Sequence, residues 1–221
     1  NISALRPHIP ARFCDDAATM ILDNPGTVLI TTGFYILLAG ATETDGPPGA
    51  IAIGNALQKL GYEVIYVTDK FTEPVMSPMV DGRARVIDFP ILDHEKSKQI
   101  AADMMSELNP SVLISIERCG LTASGDYLNF KRRSIAEFNA KLDYLFHGFP
   151  NSVGIGDGGN EIGMGNCAEV IPNYDRLSVP PCVTETTHLI ISSVSNWGGY
   201  GLAASLSKQS RQNVLPTIEE D

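Results

Sequence analysis

The sequence predicts an α/β protein, a three-layer α/β/α sandwich built on a mainly parallel sheet. Three observations predict it. Six short runs rich in Val, Ile and Thr recur along the chain, each bounded by glycine or polar residues. Between several of them lie segments whose apolar residues repeat every three or four positions, so the connections are helical crossovers and neighbouring strands run parallel. The 221 residues, 43% of them hydrophobic, suffice for one substantial core and favour a single domain over two small ones. The combination is Rossmann-like.

An N-terminal helix is expected around residues 10–22. GTVLITTG is the first strand, and Ala50, Ile53, Leu57 and Leu60 place a helix after it that Pro48 can open. YEVIYVTD and ARVIDF are the second and third strands. Ile100, Met104 and Leu108 mark the next helix, ahead of SVLISIER. Ile135, Phe138, Leu142 and Leu145 predict another helix before SVGIG, and THLIISSV is the sixth strand, followed by an apolar helix. The domain is expected to span residues 1–208, with 209–221 an acidic tail that frays at VLPTIEED. The chain has no internal repeat and no low-complexity segment.

Composition excludes several classes. Lys and Arg number 16 against 26 Asp and Glu, a net charge of −10, so a phosphate backbone is repelled and nucleic acid is not an expected partner. Cys14, Cys119, Cys167 and Cys182 form no C-x-x-C pair and the four histidines no H-x-x-x-H, so neither a disulfide framework nor a soft-metal site is signalled, and a reducing compartment is implied. The apolar runs are too short to span a bilayer and no basic-then-apolar segment opens the chain, which reads as soluble with no membrane partner. Because residue 1 is Asn rather than Met, a targeting segment ahead of it stays open. The pattern leaves oligomeric state undetermined.

In open parallel sheets, ligands bind beyond the carboxyl ends of the strands. Here those ends deliver Thr31, Thr32 and Gly33, then Thr68 and Asp69, Glu117 and Arg118, Gly156 and Asp157, and Ser193, Ser195 and Asn196. TETDGPPG, residues 42–49, holds Glu43 and Asp45 on a turn stiffened by two prolines at a helix start. The pair suits a hard cation or an ammonium group, although Asp45 serves equally well as a helix cap. In IERCGLTASGDYLNFKRR, Arg118 suits a substrate carboxylate, whereas Lys131, Arg132 and Arg133 read as a solvated basic face. Asp126, Tyr127 and Asn129 fall on a loop able to close over a pocket, and Cys119 reads as a small buried residue rather than a nucleophile.

GIGDGGNEIGMGN, residues 154–166, sets Asp157 and Glu161 around Gly158, Gly159 and Asn160. Glycine turns ahead of a helix cradle phosphate, but two acids in the same loop repel a free anion and favour a metal or an amine. In SVSNWGGYGLAASL, Asn196 can cap the helix and Trp197 either walls the pocket or packs against a helix.

TETDGPPGAIAIGNAL, ISIERCG, GIGDGGNEIGMGN and VSNWGGYGLAASL, in this order, resemble the D-glutamate cyclase family over residues 1–208. In particular they resemble the domain that forms the C-terminal part of longer eukaryotic mitochondrial members and stands alone in many prokaryotic proteins. The resemblance implies a lyase that converts D-glutamate to 5-oxo-D-proline with loss of water. It also implies a mitochondrial-matrix or cytoplasmic location, according to which kind of member the chain is. One departure stands out: where the family commonly reads GRAADG, this chain reads GLTASG, with Leu121 and Ser124 in place of an arginine and an aspartate.

On this reading a divalent cation, Mg²⁺ or Mn²⁺ with Ca²⁺ as a third candidate, is expected on some of Glu43, Asp45, Glu117, Asp157 and Glu161, and no nucleotide cofactor is expected. Arg118 would hold the α-carboxylate. Asp157, Glu161 and Glu117 are the candidates for proton transfer. Thr32, Tyr127, Gly158, Gly159, Asn160, Asn196 and Trp197 complete the expected substrate contacts. Two rivals stand beside it: a metal-dependent hydrolase of a small phosphorylated metabolite, and a non-catalytic domain that binds a small molecule or metal.

Overall fold

A computed structural model describes residues 1–216. In chain order its strands are β1 (Thr27–Thr32), β2 (Tyr35–Ile36), β3 (Ala41–Thr42), β4 (Glu63–Thr68), β5 (Arg85–Asp88), β6 (Val112–Ile116), β7 (Ser152–Gly156) and β8 (His188–Ile191). Its α-helices are α1 (Phe13–Asp23), α2 (Pro47–Lys59), α3 (Glu73–Val80), α4 (His94–Leu108), α5 (Asp143–Phe146) and α6 (Ser195–Ser210). Six strands form one sheet in the order β5-β4-β1-β6-β7-β8, every pair parallel, while β2 and β3 make a separate small hairpin. The predicted six-stranded sandwich is therefore the observed one.

The strands are buried on both faces because helices cover both. Alternate residues divide between two cores, as the two-residue strand period requires. Val28 and Ile30 of β1 face Ile21, Ile53, Leu57, Leu202 and Leu206 of α1, α2 and α6, whereas Leu29 faces Ala101, Leu145 and Phe146 of α4 and α5. Val214, within the expected tail, is buried in the first core; residues 217–221, the end of that tail, lie outside the described residues.

Three differences from the sequence pattern matter. Ile135, Phe138, Leu142 and Leu145 do not share a helix: Ile135 precedes a 3-10 turn, and only Asp143–Phe146 is α-helical. Their spacing mimics a helix because Ile135 serves one apolar cluster and Leu142 and Leu145 another. The hairpin β2–β3 and the helix α3, with prolines at Pro74 and Pro78, carry too short a period to be read.

The order in which strands are added to the sheet reverses between β1 and β6, parallel neighbours whose ends pair Thr32 with Ile116. At such a switch point the loops after the two strands diverge and leave a crevice.

Candidate active site

A cavity of about 560 Å³ opens at this crevice. The acids Glu43, Glu117, Asp157 and Glu161 line it together with Gly158 and Asn160. An apolar wall of Phe34, Ile36, Leu37 and Leu38 comes from the β2 hairpin, and Asn129, Phe130, Lys131 and Arg133 come from the loop after β6.

The loop before α2 is fixed by close approach. Gly46 has φ +101°, and a Cβ there would sit 2.6 Å from Thr32 Oγ1 and 2.8 Å from Glu117 Cβ, so only glycine fits. Two helix starts then cap one another. Asp45 accepts from the N–H groups of Ser195 (2.8 Å) and Asn196 (2.7 Å), capping α6 rather than its own helix. Asn196 Oδ1 accepts from the N–H groups of Gly46 (3.0 Å) and Gly49 (2.8 Å), capping α2. Gly49 and Gly199 let the helices approach this closely: a Cβ on Gly199 would lie 3.0 Å from the Gly49 Cα.

Glu117 and Arg118 are neighbours with opposite fates. Glu117 has φ +46°, a conformation that costs a non-glycine residue about 1–3 kcal/mol and that turns its side chain into the crevice, where the Ser195 hydroxyl donates to it. Arg118 points behind the sheet edge. It is 1% exposed, ion-paired with Asp69 at 2.6 Å, and donates to the carbonyls of Gly33 and Ala140. It does not line the cavity, so the expected α-carboxylate contact is corrected: a buried guanidinium without Asp69 would cost far more than a strand-end position suggests.

The glycine loop is an anion nest filled by its own acid. Glu161 accepts from the N–H groups of Asp157 (3.2 Å), Gly158 (2.6 Å) and Gly159 (2.7 Å). Gly159, at φ +105°, makes that convergence possible. An added phosphate would have to displace this carboxylate, which counts against the phosphate-ester reading. Asn160 donates to Leu128 O and accepts from Ser178, tying this loop to the one that carries Lys131 and Arg133.

Crowding and burial shape the charges. Desolvation, with Asp45 and Glu161 nearby, pushes Glu43 up to about 7. Desolvation and Glu161 push Asp157 up to about 8. Fully buried Glu117 is raised well above the usual carboxylate range by burial and by Glu161, Asp157 and Glu43. Asp45, Glu117 and Asp157 each present a carboxylate oxygen, all within 4.8 Å of one another. This hard-oxygen donor set fits a divalent cation. Glu43 and Glu161, also expected as ligands, fall outside that group.

Other expected contacts are distributed unevenly. Gly158 and Asn160 reach the cavity; Thr32, Gly159, Tyr127, Asn196 and Trp197 do not line it. Thr32 is buried beneath Gly46 with its hydroxyl unpartnered, Tyr127 is fully buried, and Trp197 stands 62% exposed on α6. Asp126 is turned inward on its own loop, accepting from Ser134 and from the Tyr127 N–H. Cys119 is buried and burial raises its thiol, as befits a packing residue. The departures from the family pattern sit off the cavity: Leu121 bridges Tyr127, and Ser124 is exposed beside Thr122. Lys131, Arg133, Phe34 and Phe130 are lining residues that the sequence reading missed. The basic run held their only signal.

An actinorhodin polyketide ketoreductase with NADPH aligns at TM-score 0.36 and 12% identity, covering 80% of this chain and 61% of that one. A short-chain dehydrogenase from Streptomyces avermitilis aligns at 0.33 and 18%, covering 86% and 60%; scores this low decide nothing. The human protein named D-glutamate cyclase, mitochondrial, is 34% identical over 208 residues, 86% of this chain, and this chain spans 34% of its length. Residues 9–221 match the family described as D-glutamate cyclase-like, C-terminal, and the chain belongs to that family.

Proposed function

We propose that this chain cyclises D-glutamate to 5-oxo-D-proline and water, assisted by Mg²⁺ or Mn²⁺ on Asp45, Glu117 and Asp157. The observation that carries the reading is the convergence of four carboxylates on one cavity, two of them, Glu43 and Asp157, shifted to the neutral range. A bound cation would polarise the side-chain carboxylate of the substrate and offset the charge of the three acids around it.

The proton inventory defines what the protein must do. The substrate nitrogen starts with three protons and ends with one, while the departing oxygen needs two to leave as water. The C–N bond forms as the C–O bond breaks. An acid with a value near neutrality can take a proton from the ammonium and return it to the oxygen, because neither transfer is then steeply uphill. Glu43, which lies outside the metal group and is pushed up to about 7, suits this shuttle. Glu161, saturated by backbone N–H groups, holds the loop that aims Asp157. Folding the substrate so that amine and carboxyl carbon meet supplies proximity.

The test is direct. Chelator-stripped protein is incubated with D- or L-glutamate, with and without Mg²⁺ or Mn²⁺, and 5-oxoproline is followed by chromatography. Metal-dependent product from the D-isomer supports the proposal; absence of product under every condition refutes it.

A further inference from the structure

The cavity is charged in two layers. Its acids are buried or half-buried, whereas Lys131 and Arg133 line it from exposed positions at the mouth. Among the described residues neither cation has an ion-pair or side-chain hydrogen-bond partner, although Lys96, Lys98, Lys208, Arg12 and Arg118 all do. The turn that carries them is nonetheless tightly built. Asn129 Oδ1 accepts from the N–H groups of Lys131 and Arg133, both at 3.0 Å, and the Asn129 N–H donates to Arg133 O at 3.0 Å. Asn160 joins the preceding residue, Leu128, to the acidic loop at 2.9 Å. Two free cations are thus held over an acidic floor.

We infer that Lys131 and Arg133 read the α-carboxylate of an amino-dicarboxylate substrate, an assignment that rests on the cyclase reading above. Cyclisation brings the amine and the side-chain carboxyl to the acids and leaves the α-carboxylate as the group still carrying a full negative charge. The floor repels it. Arg118, committed to Asp69, is not available to hold it. The mouth supplies the complementary charge, and a guanidinium can take a carboxylate in bidentate fashion. Arg132 separates the two lining cations but does not itself line the cavity, so it provides an internal control.

The experiment measures kcat and KM of the metal-loaded protein with D-glutamate and with its α-amide, which keeps the cyclising groups and lacks the α-charge. The double variant K131Q/R133Q is expected to raise KM for D-glutamate by about ten- to a hundredfold with kcat changed less than about threefold. KM for the amide should hardly move, so the preference for the charged substrate collapses, and R132Q should match the wild type. An undiminished preference in the double variant overturns the assignment. So does an equal loss in R132Q, which indicates a diffuse field, or an equal fall in kcat for both substrates, which indicates a structural role. A wild type that forms no product from D-glutamate instead removes the cyclase reading, and this inference with it.

Discussion

The two acidic loops of the site solve one problem in different ways. Each contributes a pair of acids, Glu43 with Asp45 and Asp157 with Glu161, and in each pair one carboxylate is saturated by backbone N–H groups while the other is left poised. Asp45 is anchored by α6, 150 residues away, whereas Glu161 is anchored within its own loop, two to four residues away. Glu43 and Asp157 take no part in those backbone hydrogen bonds as acceptors and are pushed up to about 7 and about 8. The contrast teaches that a carboxylate's task is set less by its place on a loop than by whether the backbone has already claimed it.

The sharpest break in that symmetry is D157N, which should lower kcat by about 10²- to 10⁴-fold while the circular dichroism spectrum and fold persist. E161A attacks an anchor instead. It strips three N–H groups of their acceptor and should destabilise the protein by roughly 2–3 kcal/mol in urea unfolding, with formate or acetate restoring part of the loss by entering the nest. N196A removes the cap of α2 and an exposed hydrogen bond to the Thr44 carbonyl, so about 1 kcal/mol is expected from the same assay.

The smallest effect tests the poised pair. Their folded values, about 7 and about 8, lie above the ordinary 4.5 and 3.8, so the folded state holds protons that the unfolded chain releases. Their contribution to stability is full below the unfolded values and is lost as pH rises through the folded ones. Chelator-treated protein should therefore lose Tm between about pH 5 and pH 8.5, and E43Q should flatten the slope; partial exposure keeps the change modest. An equally steep slope in E43Q would show that other groups govern it.

Much of this was legible in one dimension. Every strand of the six-stranded sheet announces itself through a short β-branched run, and the strand-end rule gathers Glu117, Asp157 and the neighbouring acids from the sequence alone. What resisted was long-range partnership. Arg118 looked like a ligand-binding cation because Asp69, which neutralises it, lies 49 residues back. Asn196 read as a cap for its own helix because nothing local hints that α2 begins beside α6. Lys131 and Arg133 read in one dimension as a solvated face, and they are exposed, but the Asn129 turn and its tie through Asn160 set them over the cavity.

The exchanged caps of α2 and α6 also bear on how the molecule is made. Contacts joining residues 150 positions apart are among the costlier for a chain to close and among the later to repay their loop entropy. During refolding, secondary structure should return ahead of the paired caps, and a ribosome must release most of the chain before Asp45 has anything to hold.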